Sequence, residues 1–348
     1  MMATATHGME SDRRALLERF RSLCAAFLAA QGVLTAARNL DWDVRPIPPR
    51  IVAVGDLHGD VRALGAIARA AGLMDDGGSW IGEHAHFVLM GDLMGGADSR
   101  LLLNAVMRLE REARRAGGRV HALLGNHDLL PAAGRFGKLT RRERRTYRKS
   151  DFRGDGPYAE WLRGRPTILK IGETVFVHAG LDRRVLDTDP IDLNAHVRAW
   201  IAYRQGKGPK PPQATKWTVD EDEGPMWTRA FKARRDRPKD APSKKTLRAI
   251  LDRLGAERLV LGHSPTRDGS IVLDHPYYGT SVILVDTRIS HDERGRLGAL
   301  VLERDTTSVL YAQDRADGDA LASREAREIG RPRGFFGFLR QAWRKLVG

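Results

Sequence analysis

IVAVGDLHGD, residues 51–60, decides the fold. Ile51 to Val54 is a β-rich run that Gly55 ends. Val61, Leu64, Ile67, Ala68 and Ala71 then recur at helical spacing, so the segment reads strand, turn, helix. Asp56 and His58 stand in the turn, two residues apart, and in extended backbone they project to the same side. A carboxylate and an imidazole so placed can bind one metal together.

Four further strings repeat the arrangement down the chain. GDLMGG at 91–96 follows HFVLM at 86–90, GNHD at 125–128 follows a strand at 119–124, HAG at 178–180 follows 174–178, and GHS at 262–264 follows 258–262. They add Asp92, Asn126, His178 and His263 to the donor set. Helices are expected through Leu102, Val106, Leu109 and Ala113, ending at Gly117–Gly118, and through Leu247, Ile250, Leu251 and Leu254. Strand, motif and helix in alternation imply parallel βαβ units, whose ligands gather beyond the carboxyl ends of the strands. A strand at 167–171 continues the pattern. Strands near 282–286, 298–303 and 308–312 make the final third β-rich, where a second sheet is expected.

A hydrophobic share of 42% supports a substantial core, and 348 residues suffice for one large domain or two ordinary ones. Cys24 is the single cysteine, which excludes an intrachain disulfide and a cysteine metal cage. Lys and Arg number 58 against 44 Asp and Glu, a net charge of +14 that attracts phosphate-bearing partners or anionic lipid. Arg-rich composition is the simplest account. No aromatic residues interleave with the basic runs, so no specific nucleic-acid partner is expected.

No apolar stretch reaches the roughly 18 residues of a membrane span. Residues 1–45 read as an N-terminal helical extension, with Leu16, Leu17, Phe20, Leu23, Cys24, Phe27 and Leu28 at helical spacing. Asp12 and Glu18, with Gln31 and Gly32, argue against a signal segment over 12–37. The chain is therefore expected to be cytoplasmic, with export as the alternative if 12–37 is such a segment. PIPP at 46–49 marks the boundary of a catalytic domain over 50–312. The runs 138–149 (KLTRRERRTYRK), 204–223 and 232–245 read as solvated insertions around the mouth of the site, where loops set substrate choice. Residues 313–334 read as a polar linker. Residues 335–348 read as a basic amphipathic helix, suited to an anionic membrane surface or to docking on the domain.

Asp56, His58, Asp92, Asn126, His178 and His263 together form an oxygen and nitrogen donor set suited to two divalent metals, with Mn, Fe or Zn preferred over Ca. Asp92 can bridge them because a carboxylate has two oxygens. Two metals about 3.5–4 Å apart activate a bridging water as nucleophile and stabilise an in-line displacement. His127, beside Asn126, is placed to protonate the leaving oxygen.

These strings resemble the calcineurin-like metallophosphoesterase superfamily, in its phosphoprotein phosphatase branch, and are most similar to bacterial Shewanella-like phosphatases. GPMWTR at 224–229 is similar to the family's segment bearing a phosphate-binding arginine, here Arg229, and LGAERLVLGHSPT at 254–266 resembles its last catalytic block. The resemblance implies an αββα sandwich of two mixed β-sheets flanked by helices. It implies one metal on Asp56, His58 and Asp92, a second on Asp92, Asn126, His178 and His263, and His127 as acid. One departure stands out: GDLMGG lacks the Asp that would orient the catalytic His and the Arg that would grip phosphate. Asp98, Arg100, Asp128 and Arg183 are the candidates to compensate.

The reading that follows is a dinuclear metal-dependent phosphatase of phosphomonoesters, acting on phosphoserine, phosphothreonine or phosphotyrosine in proteins or on a small phosphoester. One alternative is a phosphoesterase of diadenosine polyphosphates or other nucleotides. Another is a catalytically weakened metal-binding regulatory protein, which rests on the altered GDLMGG.

Overall fold

The computed structural model describes residues 42–137, 139–238, 240–290, 295–312 and 322–327. The expected helices near the N-terminus and over 335–348 lie outside these residues. In chain order the elements are β1 Asp43–Val44, β2 Arg50–Val54, α1 Val61–Ala70, β3 His86–Leu89, α2 Ser99–Arg115, β4 Arg119–Ala122 and α3 Asn126–Ala132. Next come α4 Glu143–Thr146, α5 Ala159–Arg163, β5 Ile168–Ile171, β6 Thr174–Val177, α6 Pro190–Arg204 and α7 Lys244–Leu254. β7 Arg258–Leu261, β8 Val282–Leu284, β9 Leu297–Glu303, β10 Thr307–Ala312 and β11 Ala322–Arg327 complete the chain.

Two mixed sheets stack face to face, one in the order β11-β10-β9-β2-β3-β4 and the other β1-β5-β6-β7-β8. Strands β2, β3 and β5 to β10 are mostly apolar and buried because both faces of the sheets are covered there. Alternate residues divide between the layers. Val52, Val54, Phe87 and Leu89 pack against Leu64 and Ile67 of α1 and Leu102 and Val106 of α2. Val175, Val177, Leu259 and Leu261 pack against Leu247, Ile250 and Leu251 of α7. Between the sheets, Ile51, Ala53, Val88 and Met90 meet Phe176, Val260 and Ile283. The expected αββα sandwich is what forms.

Pairing departs from expectation in three places. The final third does not make a sheet of its own: β8 joins β7, while β9 and β10 extend the sheet of β2 on its antiparallel side. β5 and β6 form an antiparallel hairpin across Gly172 and Glu173 instead of continuing a parallel series. Periodicity reveals a strand but not its neighbour. Residues 43–44, assigned to the N-terminal extension, are β1, parallel to β5. Likewise the polar linker 313–334 contains β11, antiparallel to β10, since backbone pairing at a sheet edge needs no apolar pattern.

The insertions also hold structure. Residues 204–223 include a 3-10 turn, Gln213–Val219. In 138–149, Leu139, Glu143 and Tyr147 are buried at helical spacing while Arg141, Arg142, Arg144, Arg145, Arg148 and Lys149 are exposed. At the opposite end of the domain, His86 of β3 and His121 of β4 face each other, Nδ1 to Nε2, at 3.1 Å. No described helix is long and apolar enough to cross a membrane.

Candidate active site

The five strings leave the carboxyl ends of β2, β3, β4, β6 and β7 and converge on one cleft. His58, Asp92 and His263 hold φ of 42°, 49° and 62°, a left-handed conformation that is costly for residues with a side chain. Neighbouring strings hold them there. His58 donates its N–H to the carbonyl of Asp92 at 2.9 Å. His263 donates its N–H to Asp56 Oδ1 at 3.0 Å. Gly125 is required by contact: a β-carbon there would lie 2.1 Å from Asp92 Oδ1.

Each of three histidines commits one ring nitrogen to a backbone carbonyl. His58 Nδ1 lies 3.0 Å from Met94 O, His178 Nδ1 lies 2.9 Å from Met90 O, and His263 Nε2 lies 2.9 Å from Trp227 O. A carbonyl can only accept, so that nitrogen carries the proton and the other is left to coordinate. The coordinating side of His58, Nε2, stands 4.0 Å from Asp56 Oδ2 and 3.9 Å from Asp92 Oδ2. That of His178 stands 3.4 Å from the same Asp92 Oδ2 and 3.1 Å from Asn126 Oδ1. Asp92 therefore presents one oxygen to both groups. Its Oδ1 accepts the His127 N–H at 2.8 Å.

Charge crowding in the cleft is severe. Burial would lower His178, but the facing Asp92 and Asp56 carboxylates outweigh it and push the imidazole up to about 10. Burial favours the neutral acid at Asp92 too, yet His178 and the other imidazoles hold it below the usual carboxylate range. Asp56 is raised, first by burial and then by Asp286. His263 falls to about 3 through burial and the neighbouring His178. The Asp56 and Asp92 carboxylates are buried together here, and a cation bound between them would offset their charge.

The donor geometry fits metal. Two ligands about 2.1 Å from one ion lie roughly 3 to 4.2 Å apart, and the ligand-facing separations above fall within that span. Among the described residues, Asp56, Asp92, His178 and His263 form one group able to hold an ion, and His58, Asp92 and His127 form another. Asp92 belongs to both. Asn126 adds its oxygen beside His178.

The cleft is a cavity of about 380 Å³, lined by Asp56, His58, Asp92, Asn126 and His263 with His127, Arg229, Asp286 and Arg288, while His178 lies buried behind it. Arg229 also donates Nη1 to the carbonyl of His263 at 3.0 Å. Burial lowers the proton affinity of His127. Asp286 and Arg288 escape the sequence reading because DTR carries no flanking glycine; its place just after β8 is the signal that could have found it. Arg288 holds φ of 58°, a left-handed conformation.

None of the four candidates to compensate for GDLMGG lines the cavity. Asp98 faces Arg142 at 3.7 Å, and Arg100 donates to the carbonyl of Thr146. Arg183 is exposed. Asp128 is buried and accepts the N–H groups of Met94 at 2.9 Å and Gly125 at 3.1 Å, which ties GDLMGG to GNHD. Glu143 lies beneath the loop, its Oε1 accepting the Gly95 N–H at 2.8 Å.

Residues 49–267 match the family model for calcineurin-like phosphoesterases. The chain is 28% identical to Shewanella-like protein phosphatase 1 of Plasmodium berghei (strain Anka) over 262 residues, 72% of this chain and 69% of that protein. It is 25% identical to Shewanella-like protein phosphatase 2 of Arabidopsis thaliana, over 62% of this chain and 66% of that one. The chain thus spans about two thirds of each relative's length. Among solved structures, the cold-active protein-tyrosine phosphatase of a psychrophilic Shewanella shares the fold, with a TM-score of 0.65 at 23% identity over 82% of this chain and 81% of that one. A protein serine/threonine phosphatase from Saccharomyces cerevisiae does so with a TM-score of 0.51 at 12% identity, over 87% and 90%.

Proposed function

This chain belongs to the calcineurin-like phosphoesterase family, and on that premise we propose that it is a metal-dependent phosphatase of phosphomonoesters on proteins. One observation carries the reading: Asp92 Oδ2 is shared between two groups of donors drawn from five strand ends. Asp56, His58 and Asp92 would hold one divalent ion, and Asp92, Asn126, His178 and His263 a second. Bound there, the pair would activate water as nucleophile and neutralise charge on the phosphoryl group.

The remaining residues divide the other tasks. Arg229 and Arg288 border the cavity from two different loops and can meet phosphate oxygens with paired N–H donors. His127 gives its proton to the leaving oxygen. Burial keeps the imidazole neutral in the free cleft. A phosphate dianion beside it adds negative charge and raises its proton affinity, so it becomes an acid when substrate is present. The resemblance to relatives named as protein phosphatases supports a phosphoprotein substrate.

The test is hydrolysis of 4-nitrophenyl phosphate and of phosphoserine, phosphothreonine and phosphotyrosine peptides by the manganese-loaded protein, beside Asp92→Asn. Turnover in the wild type and its loss in Asp92→Asn are expected. Equal rates in the two proteins would end the assignment, and cleavage of dinucleotides in preference to phosphopeptides would move it to a nucleotide phosphoesterase.

A further inference from the structure

Glu143 is the lone acid in KLTRRERRTYRK, and it is wholly buried while the arginines around it are exposed. Its Oε1 accepts the Gly95 N–H and the Ser99 hydroxyl, each at 2.8 Å, and its Oε2 accepts the Thr140 N–H at 2.8 Å. No cation of the described residues pairs with it. Three hydrogen bonds converging on one buried side chain from an insertion of arginines point to a use for it.

Gly95 shows what that use is. A β-carbon on Gly95 would lie 2.7 Å from His58 Nδ1 and 2.8 Å from His127 Nδ1, so the bare backbone of this residue packs directly on both rings. The His127 ring makes no hydrogen bond to any described residue; it touches His58 edge-on, with ring centroids 4.9 Å apart. What fixes its place is the loop behind it; Asp128 holds that loop at Met94, and Glu143 holds it at Gly95, the residue that touches the ring.

We propose that Glu143 is a positioning residue for His127: through the Gly95 N–H it holds the surface on which the imidazole rests. This rests on the phosphatase reading, with His127 as acid. The 138–149 insertion is then a part of the active site supplied from outside the five strings.

The experiment compares wild type, Glu143→Ala and Glu143→Gln, each loaded with manganese and checked for metal content and thermal midpoint. An acid assists a poor leaving group far more than a good one. Glu143→Ala is expected to lose about tenfold in kcat on an alkyl phosphate and less than about threefold on 4-nitrophenyl phosphate, with manganese retained. Glu143→Gln can keep the Gly95 and Ser99 bonds, and should return most of the alkyl-phosphate rate at a thermal midpoint near the wild-type value. Equal losses on both substrates in Glu143→Ala, no loss on either, or no recovery in a folded Glu143→Gln would overturn the proposal. A second readout needs no turnover: in protein labelled with 13C at histidine Cε1, the His127 signal, assigned from His127→Asn, should shift in Glu143→Ala. An unmoved signal overturns the role of Glu143, whereas a shifted signal in a protein without phosphatase activity supports it and removes only the assigned reaction.

Discussion

His178 Nε2 and Asp92 Oδ2 meet at 3.4 Å across the gap between the two sheets, both almost fully buried. One comes from the end of β6 and the other from the loop after β3. The contact joins the half-sites, because the same Asp92 oxygen also faces His58. In the proposed two-ion site, removing Asp92 should therefore affect both ions and removing His178 only one.

Loss of His127 should separate binding from chemistry. His127→Asn is expected to retain two equivalents of manganese by elemental analysis while kcat on an alkyl phosphate falls about 10²- to 10⁴-fold. A variant that binds only one ion would make His127 a ligand, as its grouping with His58 and Asp92 allows.

Arg288 trades stability for a contact. Its left-handed backbone, φ 58°, strains any residue with a β-carbon. Arg288→Gly should raise the stability by up to about 1 kcal/mol in urea denaturation and raise KM for phosphoesters about tenfold or more. Arg229→Ala should raise KM similarly without the stabilisation. A KM unchanged in both variants would remove the arginines from phosphate binding.

Gly125→Ala should damage the site through geometry. The added carbon would stand 2.2 Å from the Asp92 backbone nitrogen, which only a backbone shift can relieve. A cost of about 3 kcal/mol or more is expected, read as a lowered denaturation midpoint, together with weaker manganese binding by calorimetry.

His86 and His121 predict an acid-sensitive stability. Burial, reinforced by Arg119, lowers His86 to about 4. Burial, with His86 and Arg119 beside it, lowers His121 to about 3. Unfolded, each would titrate near 6.5, so below that pH the unfolded chain binds more protons. Stability should be full well above pH 6.5 and fall by roughly 2 kcal/mol per pH unit toward pH 5. His121→Asn should flatten that slope in urea denaturation measured across the range.

Much of the site was legible because its signals are local. Each of the six donors sits in a short string at a strand end, and a strand followed by a glycine turn can be read from ten residues. Partnership could not be read that way: whether β9 lies beside β2 or in a sheet of its own depends on contacts far apart in sequence. Glu143 hides because arginines surround it, although Leu139 and Tyr147, four residues away on either side, mark an inward face. The helix α6 could have been found from Leu193, Val197 and Ile201, which are buried at helical spacing. The fate of the missing Asp and Arg in GDLMGG was out of reach, since no rule of spacing links Gly95 to a residue 48 positions on.

The donors run from Asp56 to His263 and draw on both sheets, so no fragment of the chain contains a complete site. A ribosome must deliver residue 263 before the last imidazole exists, and the sheets must stack before Asp92 meets His178. Of the two proposed ion sites, the one that needs His263 can be completed only after β7 is made, whereas Asp56, His58 and Asp92 stand together once β2 and β3 have paired.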